Sequence, residues 1–276
     1  MEGAQVPPVP EESPAPDSPV IDTTVPHSAR IWNYWLGGKD NYPVDRAAGD
    51  RYVEAYPGIL DIARGGRAFL TRAVRYLAGE AGVRQFLDCG TGLPTADNTH
   101  EVAQRVAPES HVVYIDNDPL VLSHAQALLT SAPEGATSYV EADLRDPDGI
   151  LGLAAAELDF GEPVALLLMG VLGHLGDHGE ALGVVRRLAA ALPRGGYLAL
   201  YDDTDTDDAH NLAQQEYDDT GAVPYRLRPP EQIAAYFDGF DLVPPGIVRC
   251  ERWRPEPCGR GEPVRTSTLC GVGRKP

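Results

Sequence analysis

Two short segments carry residues whose types and spacing suit the binding of a nucleoside. In the first, an apolar run reaches Asp88 and is followed by Gly90 and Gly92 before a helical pattern begins. This predicts a strand that ends in a tight turn, where missing side chains let a ligand approach the backbone. In the second, a strand-like run over 111–115 ends at Asp116. A carboxylate at the tip of the neighbouring strand can accept both hydroxyls of a ribose.

The glycine spacing favours one class of nucleoside over another. A dinucleotide fingerprint has a third glycine where this chain has Thr95, so a pyrophosphate is disfavoured. The acid at Asp88 suits a ligand with a cationic amino group. S-adenosylmethionine combines an adenosine with an ammonium and a sulfonium, and it has no phosphate. The D-x-G-x-G arrangement resembles the cofactor motif of class I methyltransferases.

Other phosphate-binding chemistries lack the lysine that they need. The chain has two lysines, Lys39 and Lys275. A P-loop requires Ser or Thr after its Gly-Lys pair, but Asp40 follows Lys39, and Asn33 stands where the first glycine belongs. A Tyr-x3-Lys dehydrogenase pair is absent too, because neither lysine has a tyrosine four positions before it.

Length and charge narrow the function further. A chain of 276 residues, 43% of them hydrophobic, can form one large α/β domain with an appendage. No apolar run approaches the ~20 residues of a membrane span, and residues 1–5 lack the features of a signal peptide. We therefore expect a cytoplasmic protein. The formal net charge of −18 argues against binding nucleic acid through its phosphates.

Two groups of potential metal ligands are interpreted as structural. Residues 202–208 hold five acids in seven positions. We interpret them as a solvated loop that opens a helix, with a metal or a cationic partner as the alternative. The four cysteines contain no C-x-x-C pair, so we expect no zinc cluster and, in a cytoplasmic chain, no disulfides. Cys89 is expected to be a small apolar filler.

The chain divides into three parts. Residues 1–25 carry six prolines and no periodicity, which predicts a disordered tail. Residues 26–84 are rich in aromatic residues and helical in spacing, which predicts a helical cap or lid. Residues 85–276 alternate strands and helices, which predicts a mainly parallel sheet covered on both faces. Strands are expected near 85–89, 111–116, 136–141, 163–169, 196–201, 240–248 and 265–273, the last two as a closing hairpin. Helices are expected near 95–107, 118–130, 148–157, 179–192, 208–218 and 230–237.

Three segments resemble a known family. Residues 27–45, 114–119 and 141–147 are similar to signatures of the S-adenosyl methyltransferase family, long known as a domain of unknown function. The resemblance runs from about residue 26 to the C-terminus. It implies a Rossmann-like class I methyltransferase fold, with a seven-stranded, mostly parallel sheet and an antiparallel last strand, and S-adenosyl-L-methionine as cofactor. It implies no particular substrate.

The same resemblance assigns roles around the cofactor. The acid and glycines of the first motif are expected at its methionine end, and Asp116 and Asn117 at the ribose and adenine. Asp143 matches a position that meets the adenine amino group, with a helix N-cap as the alternative. The cofactor set is Asp88, Gly90, Gly92, Asp116, Asn117, Asp143, Leu144 and Met169.

The segment 164–177 covers the fourth predicted strand and the loop that flanks the methyl group in this fold. Its Val-Leu-x-His-Leu-x-Asp pattern is similar to that of methyltransferases acting on small molecules, and the Asn/Asp-Pro-Pro-aromatic motif for methylating bases is absent. His174 can act as a general base near pH 7 or only shape the loop. His174 and His178 have the spacing of a metal pair on a helix, but the glycines around them favour a loop, so no metal is expected.

The segment 30–45 admits two interpretations. Gly37 and Gly38 place flexible backbone beside polar and aromatic groups, which is typical of a lid that closes over a ligand. Alternatively, the aromatic residues only pack the cap on the sheet, as we expect for Trp32 and Tyr52. The candidates for closing over the cofactor or substrate are Arg30, Tyr34, Lys39, Asn41 and Asp45.

Three functional hypotheses follow. The first is an S-adenosylmethionine-dependent methyltransferase acting on a small-molecule methyl acceptor, with no nucleic-acid or membrane partner and no prediction of oligomeric state. The second is a catalytically silent protein that binds S-adenosylmethionine and regulates or interacts, because no catalytic acid or base is unmistakable. The third is an NAD(P)-dependent oxidoreductase, which the missing glycine and lysines disfavour.

Overall fold

The computed structural model describes residues 22–118, 120–121, 130–255 and 266–276. Eight strands form one sheet: β1 (Gln85–Cys89), β2 (His111–Asp116), β3 (Ala136–Glu141), β4 (Val164–Met169), β5 (Tyr197–Asp203), β6 (Asp241–Leu242), β7 (Val248–Arg249) and β8 (Thr268–Arg274). Their order is β3-β2-β1-β4-β5-β8-β6, and β7 also pairs with β8. The first five strands pair in parallel, and β8 is antiparallel to β5.

The order of strands reverses beside β1. The chain passes from β1 outward to β2 and β3, then returns to add β4 and β5 on the other side. Open α/β sheets bind ligands at such a switch point, outside the carboxyl ends of the strands. In the register of the sheet, Asp88 lies opposite Tyr114 of β2 and Leu167 of β4. The first motif therefore ends at the switch point.

The sheet confirms the predicted Rossmann-like fold and differs in one detail. The strand predicted over 240–248 is two short strands, because Pro244 and Pro245 lie between them and proline has no N–H for the ladder. Both strands pair with the edge of β8 that β5 leaves free. Eight strands thus occupy the seven positions of the predicted sheet.

The described helices agree with the predicted ones to within a few residues. Helix α4 begins later than predicted, because Asn98 and Glu101 form a capping box at its start. Most of the helix predicted over 118–130 lies outside the described residues. Among the described helices, none has the length and apolar character that crossing a bilayer requires. The helices are α1 (Ser28–Trp35), α2 (Pro43–Ala55), α3 (Ile59–Gly79), α4 (Thr99–Val106), α5 (Pro147–Ala154), α6 (His178–Ala191), α7 (Asp208–Asp218) and α8 (Pro230–Ala235).

Side-chain alternation along the strands divides the apolar core between the two faces of the sheet. Phe86 of β1 and Val112 of β2 pack with α3 and α4, whereas Leu87 and Val113 pack with α5, α6 and α8. Because both faces are covered, β4 is buried and apolar at all six positions. The sheet is the middle of three layers.

Helices α1 and α2 pack on the first turns of α3 and on α7, in a cluster that contains no strand residue. Arg30 and Asp45 join them by a buried ion pair, Nε to Oδ2 2.9 Å. Asp45 also accepts from the backbone N–H of Tyr42 at 2.8 Å. Arg30 donates to the carbonyl oxygens of Asp22 and Val25, so residues 22–25 of the predicted tail are held on α1; residues 1–21 lie outside the described part.

Candidate functional site

A cavity of about 250 Å³ lies at the carboxyl ends of β1, β2, β4 and β5. We call one side of it the turn end, lined by Asp88, Gly90, Gly92 and Asp116, and the other the α7 end, lined by Tyr52, Tyr201, Asp203, His210 and Tyr217. All eight residues of the predicted cofactor set line this cavity, and so does His174.

The turn after β1 requires glycine for two different reasons. Gly90 and Gly92 have positive φ angles of 75° and 63°, which side chains disfavour. A Cβ at Gly90 would lie 2.2 Å from the side chain of Val171, whereas a Cβ at Gly92 would meet no atom within 4 Å. Gly90 therefore permits close packing on the loop after β4, and Gly92 leaves open space at the cavity.

Asp116 is fixed in place by backbone amides. Its Oδ2 accepts from the N–H of Gly92 at 2.9 Å, and its Oδ1 accepts from the N–H of Asp118 at 3.0 Å. Burial raises the pKa of Asp116, and these two hydrogen bonds oppose the rise. Each carboxylate oxygen keeps a further acceptor site, so two adjacent hydroxyls can still be bound.

Asp88 is a buried acid with spare hydrogen-bonding capacity. Its Oδ2 accepts from the hydroxyl of Thr99 at 2.6 Å; in the described residues this is its single side-chain hydrogen bond. Burial raises the pKa of Asp88 to about 6, although Thr99 and the Arg67 guanidinium favour its ionised form. The site is therefore suited to a cationic group that replaces the lost hydration.

Arg67 of α3 was not predicted as a site residue. It lines the cavity, and its charge opposes the rise that burial causes in the pKa of both Asp88 and Tyr201. Within the described ranges its guanidinium has no hydrogen-bond or ion-pair partner. A cation and a carboxylate thus stand near one another at the turn end, as binding an amino acid moiety requires.

The remaining cofactor candidates lie around the tips of β2, β3 and β4. Asn117 and Asp143 are exposed, Leu144 is half-buried, and Met169 is buried. The N-cap alternative for Asp143 is wrong, because Asp146 caps α5 by accepting from Gly149 N–H at 3.0 Å. Asp143 instead accepts from the N–H of Arg145 at 2.8 Å in the loop before the helix.

His174 lies in a short 3₁₀ turn, Leu172–His174. Its Nδ1 is 3.0 Å from the carbonyl oxygen of Pro224, so Nδ1 carries the hydrogen and Nε2 keeps its lone pair. Burial lowers the pKa of His174, which keeps the ring neutral at pH 7. Its ring also packs edge-on against Tyr225, with centroids 5.1 Å apart. The structure thus supplies an unprotonated nitrogen and a loop-shaping contact, and the general-base role stays a prediction.

His178 is not in a loop, as the neighbouring glycines suggested, but is the first residue of α6. Asp177 caps this helix by accepting from the N–H of Glu180 at 2.9 Å. Among the residues that the structure describes, no group of three or more potential metal ligands is present.

The five predicted lid residues do not line the cavity, and their closing over the cofactor or substrate stays a prediction. Arg30 and Asp45 form the buried ion pair of the cap, and the Tyr34 hydroxyl donates to Asp50 at 2.7 Å. Asn41 donates to the side chain of Asn33 and to a backbone carbonyl, and Lys39 is exposed. Four of these side chains are engaged in contacts within the cap, and that of Lys39 is exposed to solvent.

A different face of α1 lines the cavity. It contains Ala29, Trp32 and Asn33, and Leu36 follows at the C-cap; these positions recur at helical spacing. Asn33 is 2% exposed, and its Nδ2 is a buried donor with no partner. Trp32 was predicted only to pack the cap, yet its ring lines the cavity as well. Helix α1 thus covers the site with a face that the prediction based on Gly37 and Gly38 did not include.

The two faces of α1 predict different effects of substitution. Tyr34→Phe should change the Kd for S-adenosylhomocysteine less than twofold, because the hydroxyl bonds Asp50 outside the cavity. Trp32→Leu should weaken binding about tenfold, because it removes an aromatic wall of the cavity. Calorimetry measures both, with melting temperatures as the control for folding. If Tyr34→Phe weakened the binding of S-adenosylhomocysteine as much as Trp32→Leu does, the result would support the original prediction that Tyr34 closes over the ligand.

The acidic run is only partly the solvated loop that was predicted. Asp202 and Asp203 are the last residues of β5 and are buried, at 0% and 4% exposed. Asp202 pairs with Arg228, Oδ2 to Nη1 3.3 Å, and accepts from the hydroxyl of Tyr225. Asp203 lines the α7 end of the cavity. The rest of the run agrees with the prediction, since Asp207 caps α7.

Comparison with known proteins identifies the chain. A model of the family described as S-adenosyl methyltransferase matches residues 14–276. The chain belongs to this family. A DUF574 family protein from Streptomyces avermitilis MA-4680 is 44% identical, with a TM-score of 0.87 over 92% of this chain and 99% of that one. A protein from Thermobifida fusca YX, provisionally assigned as a methyltransferase, is 40% identical, with a TM-score of 0.84 over 92% and 96%. Among curated proteins none matches.

Membership of the S-adenosyl methyltransferase family establishes the cofactor and the reaction class. The protein is an S-adenosylmethionine-dependent methyltransferase. The residues of the cavity fit this cofactor, because a buried acid with spare capacity, an unpartnered amide and open space at Gly92 lie in one place. The structural and family findings offer no support for the oxidoreductase and the catalytically silent alternatives.

Proposed function

We propose that this methyltransferase acts on a small molecule that is enclosed in the cavity together with the cofactor. One cavity joins the turn end to the α7 end, beneath α1 and beside α7, so the cofactor and the acceptor can occupy one enclosed space. The aromatic side chains of the α7 end are largely buried, which favours a compact acceptor over a segment of a macromolecule.

The turn end divides the binding of the cofactor among a few side chains. Asp88 binds its ammonium and Arg67 its carboxylate, because opposite charges of the protein face those of the amino acid moiety. Asp116 accepts from the ribose hydroxyls with the acceptor sites that the backbone leaves free. Asn117, Asp143 and Leu144 would hold the adenine, and Met169 would contact the end of the cofactor that carries the sulfonium.

When bound, S-adenosylmethionine supplies an electrophilic methyl group on a sulfonium. The protein's part is to hold the acceptor atom about 3 Å from that methyl group, in line for displacement, and to exclude water. Tyr201 of the α7 end packs closely on Gly170, which follows β4: a Cβ at Gly170 would lie 2.7 Å from the Tyr201 ring. This close contact gives the acceptor a fixed wall beside the tip of β4.

The absence of nucleic-acid substrates and a cytoplasmic location belong to the same proposal. The net charge of −18 supports the absence of nucleic-acid substrates, because binding to phosphates requires a basic surface. A polyanionic substrate would be repelled by this charge at low ionic strength.

Calorimetry tests the cofactor assignment. S-adenosylmethionine and S-adenosylhomocysteine should bind, and NAD should show no comparable binding. Asp116→Ala should weaken the binding of S-adenosylmethionine and S-adenosylhomocysteine by about 1–3 kcal/mol, the scale of lost hydrogen bonds to a charged acceptor. The matched control is Asp148→Ala, at an exposed acid on α5 away from the cavity. Equal affinity of the Asp116→Ala and wild-type proteins would contradict the assigned role.

A further inference from the structure

The α7 end of the cavity contains a carboxylate that the cofactor roles do not use. Asp203 follows Asp202 at the end of β5, and side chains alternate between the faces of a strand. Asp202 has Arg228 and Tyr225 as partners on one face. Asp203 lies on the other, where Thr268 donates to its Oδ1. The two neighbouring acids thus have different environments.

Asp203 is buried without a cation. In the described parts of the chain, Thr268 is the single hydrogen-bond partner of its carboxylate, and no arginine, lysine or histidine forms an ion pair with it. The nearby His210 does not supply a charge, because burial lowers its pKa to about 4. Burying an ionised acid lowers the stability of the folded protein unless the acid is paired with a cation. A positively charged ligand would therefore stabilise the ionised carboxylate of Asp203.

The same end of the cavity is walled by aromatic rings. Tyr52 is packed edge-on between Trp35 and Tyr217, with centroids 5.2 Å and 5.6 Å away. The hydroxyl of Tyr52 bonds Gln214 at 3.0 Å, which holds the ring in place. Tyr201 of β5 completes the wall. Aromatic faces beside a carboxylate form a site for an organic ammonium ion, since both attract positive charge.

We propose that the methyl acceptor is a small organic amine, that its cationic form is bound by Asp203 among Tyr52, Tyr201 and Tyr217, and that its nitrogen is methylated. This inference rests on the proposed function and names the substrate class of the same cavity. An acidic side chain without a cationic partner selects against carboxylate acceptors, because it would repel them.

The proposed step balances in charge and atoms. The bound ammonium gives one proton to the Asp203 carboxylate, whose pKa burial raises to about 6, so it is a better proton acceptor than an exposed acid. The nitrogen lone pair then forms a bond to the methyl carbon while the carbon–sulfur bond breaks and its electron pair goes to sulfur. The sulfonium becomes a neutral thioether, and the amine becomes a methylated ammonium.

The test compares three probes of one shape in protein saturated with S-adenosylhomocysteine. Phenethylamine carries the positive charge, 2-phenylethanol is its neutral counterpart, and 3-phenylpropionate carries a negative charge. Calorimetry should show phenethylamine binding at least tenfold more tightly than the other two. Asp203→Asn should weaken phenethylamine binding about 10- to 100-fold, the effect of losing a charged hydrogen bond, and leave 2-phenylethanol unchanged. The matched control, Asp205→Asn at an exposed acid of the same run, should leave all three unchanged.

Two further measurements separate this inference from the proposed function. Asp203→Asn should bind S-adenosylhomocysteine as the wild type does, since Asp203 lies outside the turn end. Wild-type protein with tritiated S-adenosylmethionine should label phenethylamine and not 2-phenylethanol. Preference for the alcohol or the carboxylate, with normal cofactor binding, overturns the amine inference alone. Failure to bind S-adenosylhomocysteine would overturn the proposed function instead. The probe comparison in wild-type protein stands even if a variant fails to fold.

Discussion

Asp88→Asn is expected to weaken S-adenosylmethionine binding by about 3 kcal/mol at pH 8, which is roughly a hundredfold in Kd. The substitution removes the buried charge that we assign to the cofactor's ammonium and keeps the side chain's shape. The amide oxygen can still accept from Thr99, so local packing is preserved. Adenosine, which lacks the ammonium, is the matched ligand control, and its affinity should not change.

The affinity of the wild type should also depend on pH. Asp88 has a pKa of about 6 in the folded protein, so affinity should be full above pH 7 and about tenfold weaker at pH 5, where most of the carboxyl is protonated. The Asp88→Asn variant should lack this dependence. Calorimetry at both pH values tests the idea, and equal pH dependence in the two proteins would contradict it.

The same acid has an opposite effect on stability. Its folded-state pKa is raised above the usual 3.8, so between these values the folded protein binds more protons than the unfolded chain. The free energy of unfolding contributed by Asp88 is therefore highest at low pH and falls as pH rises through about 6. At 1.36 kcal/mol per pH unit, Asp88→Asn should stabilise the ligand-free protein by up to about 3 kcal/mol at pH 8. Improved stability with lost binding is the signature of a functional acid.

Arg228→Met is expected to lower the free energy of unfolding by about 3–5 kcal/mol at pH 8, because it leaves the Asp202 carboxylate buried without its cation. Arg228 is 2% exposed, and it also donates to the carbonyl oxygen of Leu175 at 3.1 Å. The side chain therefore joins β5 to the loop after β4. Urea denaturation measures the loss, which should shrink as pH falls, since burial raises the pKa of Asp202 and the carboxyl becomes neutral.

The double variant Arg228→Met with Asp202→Asn isolates the charge. The asparagine needs no counter-charge and can accept from the Tyr225 hydroxyl, so part of the lost stability should return. Arg226→Met is the control, because its ion pair with Asp218 is exposed on the arginine side and should contribute less than about 1 kcal/mol. A loss at Arg228 that the second substitution does not relieve would show that packing, and not the unpaired charge, is responsible.

The fold was predictable because it depends on periodic local patterns. Strands with alternating or continuous apolar residues appear where they were predicted, and α7 has the predicted bounds. The glycine turn was predictable for a similar reason, since positive φ at Gly90 and Gly92 is a property of the backbone itself. The break at Pro244 and Pro245 was visible in the sequence, although the predicted strand ran through it.

The cap residues that line the cavity are not the ones that the sequence pointed to as a lid. Glycines and nearby polar groups pointed to 37–45, but those polar groups meet one another. The helical spacing of Ala29, Trp32 and Leu36 was an available signal for the face that lines the cavity. For Arg67 no comparable signal exists, because an arginine on an amphipathic helix usually lies on its solvated face.

By itself, the sequence determined the sheet, the turn after β1 and the family to which the chain belongs, because each depends on residues close together in the chain. Only the tertiary structure decided what the acids of 202–208 do. Asp202 meets an arginine 26 residues away and Asp203 a threonine 65 residues away. Whether a carboxylate is solvated, paired or left as a binding site depends on what packs around it. Such packing between residues distant in the chain cannot be predicted from the local pattern of an acidic run.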